Sequence, residues 1–208
     1  GLPAGQTSEG RAGCHLSLGM AALVAEKTGL TVLSDPRSRD LAAGGQGFPL
    51  LSIIDHLLFQ DPAEDRWLVH LGTMATVTHL PAGGGLKQVR AFQAAPGTVL
   101  LDGLMRLLTN GREAYDPGGK HAVQGRCIDS LLERWLAHPH RRQTGWKSAV
   151  RAEYGEEFLH QGLQLARSQD RNLHDVLCTA THFAARTLAD TIKRLTLTLP
   201  ARIHLSGG

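Results

Sequence analysis

Two β-like runs, residues 67–71 and 75–80, flank Gly72-Thr73. Strand-like runs on both sides of a short glycine turn predict a β-hairpin. A third strand-like run covers 88–92, after a glycine turn over 81–85. Helical spacing sets in directly afterwards. Thr98 can cap a helix reaching about Leu108, with Leu100, Leu101, Leu104, Met105 and Leu108 on its inner face, and Asn110-Gly111 stops it. A second helix is expected over roughly 128–137, and 138–156, with Pro139 and two glycines, reads as irregular. The strongest helical face is Leu173, Val176, Leu177, Ala180, Ala184, Leu188, Thr191, Ile192 and Leu195. Pro200 breaks the chain before a last strand over 202–205. Strands mixed with helices in this order restrict the fold to the α/β class.

Ahead of the hairpin the signals are shorter. Residues 1–13 read as loop and 16–18 as a short strand. Met20, Ala21, Leu23 and Val24 suit a helix over 20–27, with Gly29 where a helix C-cap belongs. Residues 30–34 are β-branched and apolar and predict a strand, and 49–59 carry Leu50, Ile53, Ile54, Leu57 and Leu58 at helical spacing until Asp61-Pro62. A hinge at 60–66 would divide a first lobe, 1–60, from a second, 61–208. The chain starts without Met and stops straight after a strand-like run, so a piece of a longer protein is expected.

Composition removes several classes. A hydrophobic share of 42% and a charged share of 20% are those of an ordinary globular core, built here from aliphatic residues because aromatics are only 5%. The net charge of +3 is small and its cations are scattered, which argues against nucleic acid. No apolar run reaches membrane-spanning length, and no leader peptide is recognisable. Cys14, Cys127 and Cys178 are odd in number and far apart. They read as reduced thiols in a cytoplasmic setting, with Cys127 and Cys178 inert within apolar helical faces.

Three places could carry chemistry. In the run from Ser34 to Leu50, Gly44, Gly45, Gln46 and Gly47 let a backbone approach a ligand, and Arg37, Arg39 and Asp40 supply polar groups suited to a sugar, a carboxylate or a phosphate. The plain alternative is a glycine turn that only reverses the chain. The hairpin turn Gly72-Thr73 could grip phosphates by its backbone N–H groups, although most hairpin turns bind nothing. The third place, 92–98, leads from a strand through Pro96-Gly97 into a helix, yet nothing there titrates: Gln93 is an amide and takes no proton. Among eleven histidines, His138 with His140 or His174 with His182 could face one ligand, but no cysteine or carboxylate joins them at metal-site spacing. They read as solvated or core-edge side chains, and no metal site is expected.

These segments together resemble the anhydro-N-acetylmuramic acid kinases. Gly5-Gln6-Thr7 resembles that family's His-Gly-Gln-Thr element with Ala4 at the His, and Leu18-Gly19-Met20-Ala21 its Ile-Gly-Asn-Pro element. Asp35 to Leu50 is similar to its Asp-Phe-Arg-x-x-Asp-x-Ala-Ala-Gly-Gly-Gln-Gly-Ala-Pro-Leu run. Val69 to Val77 resembles Leu-Asn-Ile-Gly-Gly-x-x-Asn, with His70, Thr73 and Thr76 for Asn, Gly and Asn. Ala91 to Asp102 resembles Gly-Phe-Asp-x-Gly-Pro-Gly-Asn-x-x-x-Asp and keeps Pro96, Gly97 and Asp102. Tyr115 to Gly119 and Thr144-Gly145 match shorter elements, and Ser206-Gly207-Gly208 matches the start of a Gly-Gly-Gly nucleotide element.

The resemblance implies a two-lobed actin-like (ribonuclease H-like) sugar-kinase fold, incomplete at both ends here. It implies ATP and Mg2+, with water opening the 1,6-anhydro ring and O6 being phosphorylated, in peptidoglycan recycling and amino-sugar metabolism. It also implies a homodimer. Substrate would meet Arg37, Arg39, Asp40, Gly44, Gly45, Gln46 and Gly47. Nucleotide would meet Gly72, Thr73, Gly207 and Gly208. The family's catalytic acid falls on Gln93, which leaves either a divergent kinase using Asp35, Asp40 or Asp116, or a catalytically silent relative that binds a sugar or a protein partner.

Overall fold

Residues 19–45, 47–138, 154–195 and 202–208 are described by a computed structural model. The chain divides into two compact units, Gly1–Leu51 and Ser52–Gly208.

In the first unit, α1 (Ala21–Thr28) ends on Gly29, whose φ of 67° lets its N–H return to Ala25 O. The expected strand over 30–34 is extended chain without a ladder. Leu30 and Leu33 are 68% and 94% exposed. β-branched residues favour a pleated surface, but a strand exists only when an edge pairs with it, and every strand among the described residues lies in the second unit. The glycine-rich run is also more ordered than a loop. It opens with α2 (Pro36–Ala42), started by the Asp35 side chain accepting from Ser38 N and by Pro36 in the first turn. The expected strand at 16–18 and the irregular stretch 139–153 lie outside the described residues.

The second unit begins with α3 (Ser52–Phe59) and is built on a four-stranded sheet of order β3-β2-β1-β4. β1 (Arg66–Leu71), β2 (Met74–Leu80) and β3 (Arg90–Pro96) are antiparallel neighbours, and β4 (Arg202–Gly207) runs parallel to β1. The third strand therefore sits later than the 88–92 expected, because Leu86–Gln88 forms a 3-10 turn that feeds it. Gln93 to Pro96, beyond the strand expected over 88–92, belongs to β3 as well. The register slips between Ala75 and Thr76, which face Ala95 and Gln93, so Ala94 is the extra residue of a bulge.

Among the described residues, four further α-helices belong to the unit: α4 (Val99–Leu108), α5 (Asp129–Leu136), α6 (Glu156–Ser168) and α7 (Leu173–Leu195). Helix α6 had no counterpart in the sequence reading, although Phe158, Leu159, Leu163 and Ala166 form its buried face. Two apolar clusters result. One sits among the helices, with Leu104, Met105, Leu131, Leu177 and the rings of Trp135, Tyr154, Phe158 and Phe183. The Phe158 and Phe183 centroids are 5.8 Å apart and those of Trp135 and Phe158 5.2 Å, within the range for favourable ring pairs. The other joins Trp67, Val69, Val77, Phe92 and Ala95 to Ile192. Helix α7 contributes to both, since its 23 residues give it a length of about 34 Å. Phe183, fully buried, lay outside the face read from sequence.

On the opposite sheet face, α3 lies over the lower end. There Asp55 Oδ2 of α3 accepts from Thr78 Oγ1 at 2.7 Å, and Arg66 Nη1 donates to Phe59 O at 2.9 Å. The segment before β1 is cross-tied. Asp61 Oδ1 accepts from Ala63 N at 2.9 Å and Glu64 N at 3.2 Å, and Asp65 Oδ1 accepts from Ala82 N at 2.7 Å. These bonds hold both carboxyls below their ordinary range, led by the Ala63 N–H for Asp61 and the Ala82 N–H for Asp65.

Candidate functional site

Strand pairing assembles a row of polar side chains across the sheet. Gln93 faces Thr76, Thr76 faces His70, and His70 faces Ser206. Because side chains alternate along a strand, the four share the face that α3 covers lower down. His70 and Ser206 are exposed and Thr76 and Gln93 half-buried. His70 Nδ1 lies 3.2 Å from Ser206 Oγ. No carboxylate stands in the row.

Two backbone turns and the end of β4 lie at the same end of the sheet. The hairpin turn gives its carbonyls to the start of α4: Gly72 O accepts from Thr98 N at 2.9 Å, and Thr73 O from Gly97 N at 3.0 Å and Val99 N at 3.1 Å. Those N–H groups, which a helix start leaves without intrahelical partners, are thereby occupied. The N–H groups of Gly72 and Thr73 themselves have no acceptor among the described residues. Gly97 must lack a side chain, because a Cβ there would overlap Gly72 O. The third segment is Gly207-Gly208, at the end of β4. Gly208 N donates to Leu71 O at 3.0 Å, and Gly207, at φ 89°, lies so close to Leu71 that a Cβ would collide with its carbonyl. Gly72, Thr73, Gly207 and Gly208 thus form one cluster, with Gln93 on the row beneath them. That cluster offers two free N–H donors and one imidazole, a set suited to an anion.

The first unit holds the other candidate residues. Asp40 organises its loop. Oδ2 accepts from Gly47 N at 2.7 Å, the Asp40 carbonyl accepts from Gly45 N at 2.8 Å, and Gly45 lies directly against the carboxylate. Gly44 and Gly47 have positive φ of 87° and 72°. Arg37 places its guanidinium 5.2 Å from the centroid of Phe48, close enough for a cation–π contact. Arg39 is exposed, and among the described residues its guanidinium has no partner. Gln46 lies outside the described residues. This loop offers one free arginine beside a backbone wrapped round a carboxylate.

The three alternative acids are all engaged by backbone. Asp35 caps α2 and Asp40 holds Gly47. Asp116 accepts from His121 N at 3.0 Å and Ala122 N at 2.9 Å. Asp102 accepts from Thr98 Oγ1 at 2.8 Å. Of the histidine pairs, His174 stacks on His121 instead of meeting His182, and His140 is outside the described residues. Among the described residues no three His, Cys, Asp or Glu side chains are grouped to hold a metal ion. Cys178 is on α7, but Cys127 precedes α5 and is not on a helix. Burial pushes both thiols up, which keeps them in the poorly nucleophilic form. No helix among the described residues is long and apolar enough to cross a membrane.

Comparison with known proteins agrees with the motif resemblance. The sequence profile described as "Anhydro-N-acetylmuramic acid kinase" matches residues 5–208. A protein of that name from Gloeobacter violaceus is 37% identical over 201 residues, which is 97% of this chain and 52% of the relative. Its namesake from Picosynechococcus is 38% identical over 202 residues, covering 96% and 53%. One from Bacillus cereus is 33% identical over 182 residues, covering 88% and 47%. The chain spans about half the length of these curated relatives.

Proposed function

The chain belongs to the anhydro-N-acetylmuramic acid kinase family, sugar kinases of the actin-like ATPase fold, and from that premise we propose that the full-length protein binds ATP and an anhydro-amino sugar and phosphorylates the sugar slowly. The nucleotide's phosphates lie against the Gly72-Thr73 turn and Gly207-Gly208, and the sugar against Arg37, Arg39 and the Asp40–Gly47 loop. The setting is the reducing cytoplasm, the chain pairs as a homodimer, and the pathway is cell-wall recycling. The observation that carries the reading is the amide of Gln93 on a row without a carboxylate.

The reaction adds water to the anomeric carbon, breaks the 1,6-anhydro bond and leaves O6 to take a phosphoryl group. The water's proton then needs an acceptor. Gln93 can hold and orient that water through its carboxamide but cannot take the proton, a deficit of about two to four decades in rate. Bound ATP supplies the phosphoryl group. The free N–H groups of Gly72 and Thr73 fit its phosphate oxygens. The row provides no carboxylate for Mg2+, so the cation would arrive on the phosphates.

The test is to mix full-length protein with ATP, Mg2+ and the anhydrosugar and follow the 6-phosphate. Gln93→Asp should raise its rate by about two to four decades, while Gln93→Ala should change it little. A rate already at the Gln93→Asp level in the unaltered protein overturns the proposal. The engagement of Asp35, Asp40 and Asp116 by backbone N–H groups favours a second reading, a silent relative that retains binding to a sugar or a protein partner. It predicts sugar binding by calorimetry, weakened by Arg39→Ala, with no product at all.

A further inference from the structure

His70 is the one side chain of the polar row whose charge can change, and it stands where the family's hairpin carries Asn. Its surroundings are specific. The ring's Nδ1 side meets Ser206 Oγ at 3.2 Å. Its other edge leans over the hairpin turn, since a Cβ built on Gly72 would lie 3.5 Å from both Cδ2 and Nε2. Nε2 therefore lies next to Gly72 of the turn, and among the described residues it has no hydrogen-bond partner of its own.

In the tautomer whose Nδ1–H donates to Ser206 Oγ, Nε2 is the nitrogen left open to a second proton. In the imidazolium form Nε2–H becomes a third donor beside Gly72 N and Thr73 N, and the only charged one. In the neutral form Nε2 presents a lone pair to the same place and repels an anion. The ionisable groups facing His70 from adjoining elements are few. On β4 these are His204 and, further down, Arg202, which is paired with Glu64 at 3.3 Å. On α3 these are Asp55, held by Thr78, and His56, half-buried beside it, and beyond the turn on α4 it is Asp102, held by Thr98. β2 and β3 present Thr76 and Gln93, which do not titrate. No carboxylate bonds to the imidazole among the described residues.

Resting on the proposed nucleotide site, we propose that His70, oriented by Ser206, is a protonation-dependent phosphate contact that makes nucleotide binding by this protein tighten as pH falls. The hairpin turn supplies directional donors at any pH, and His70 adds charge only when protonated. His70 is unsuited to replace the missing acid. It stands two strands from Gln93, about 10 Å at ordinary strand spacing, and so cannot take the proton of a water placed over residue 93.

The experiment is calorimetric titration of the full-length protein with Mg-ATP at about pH 6 and about pH 8. The unaltered protein should bind roughly tenfold or more tightly at the lower pH, the scale of one charge-assisted hydrogen bond. In His70→Asn, an exchange at an exposed position to the family's own residue, the ratio should fall to about twofold or less. The variant reports the nucleotide's own ionisation, so the difference between the two ratios belongs to His70. Equal ratios in the two proteins, with ATP bound by both, overturn this inference and leave the nucleotide site standing. Absence of ATP binding at either pH in the unaltered protein removes the proposed site itself, and the role of His70 with it.

Discussion

The two units hold their candidate residues in opposite ways. In the second, the polar row and the turns rest on apolar clusters that include Trp67, Phe92, Leu104 and Phe183, each no more than 1% exposed. In the first, among the described residues, no helical side chain is fully buried. The ligand loop there owes its shape to polar contacts, the Asp35 cap and the Asp40 carboxylate. The contrast separates a platform whose geometry follows from packing from a loop whose geometry follows from a few hydrogen bonds. A packed platform fails cooperatively, whereas a hydrogen-bonded loop can lose its shape while the rest of the chain stays folded.

The largest expected effect breaks the platform. Phe183→Ala empties the centre of the aromatic cluster and should lower the unfolding free energy of the second unit by about 3–5 kcal/mol, read from urea titration by far-UV circular dichroism. A loss below about 1 kcal/mol would mean that the cluster does not support the sheet end. A smaller and more local effect is expected in the loop. Asp40→Ala removes the acceptor of Gly47 N, a charge-assisted bond worth about 1.5–3 kcal/mol. Sugar binding should drop while the urea midpoint of the second unit stays put; a shift of that midpoint would show the loop and platform to be one cooperative body.

The smallest effect concerns acid. Asp61 and Asp65 have folded-state values held below the ordinary 3.8, chiefly by the N–H groups of Ala63 and Ala82. Their contribution is therefore complete above that ordinary value and is lost as pH falls below it, through the lowered folded values. Melting curves should show the second unit weakening below about pH 4, and Asp65→Asn should flatten that slope. An unchanged slope would place the acid sensitivity elsewhere.

Local signals in the sequence located much of this. The hairpin, α4, α7 and the last strand follow from periodicity and turn chemistry that act within a few residues. The failures have nonlocal or competing causes. Residues 30–34 have strand-like side chains but no edge to pair with. The Asp35-Pro36 start of α2 was present in the chain, yet the charges and glycines around it pointed to a loop. Helix α6 was passed over although Phe158, Leu159, Gly162, Leu163 and Ala166 recur at helical spacing. The residues of the glycine loop and hairpin turn could be named from motifs. The polar row could not, because His70 and Ser206 are 136 positions apart and only the register of β1 against β4 brings them together.

The bulge at Ala94 has a consequence for how such a protein changes over generations. An extra residue there absorbs the bend that carries β3 into Pro96-Gly97 and α4, so Gln93 stands upstream of the kink, on regular ladder. Its identity can switch between amide and acid without disturbing the hand-over to the helix. On the proposed role of Gln93, the exchange Gln93→Asp would then alter turnover while leaving this scaffold in place.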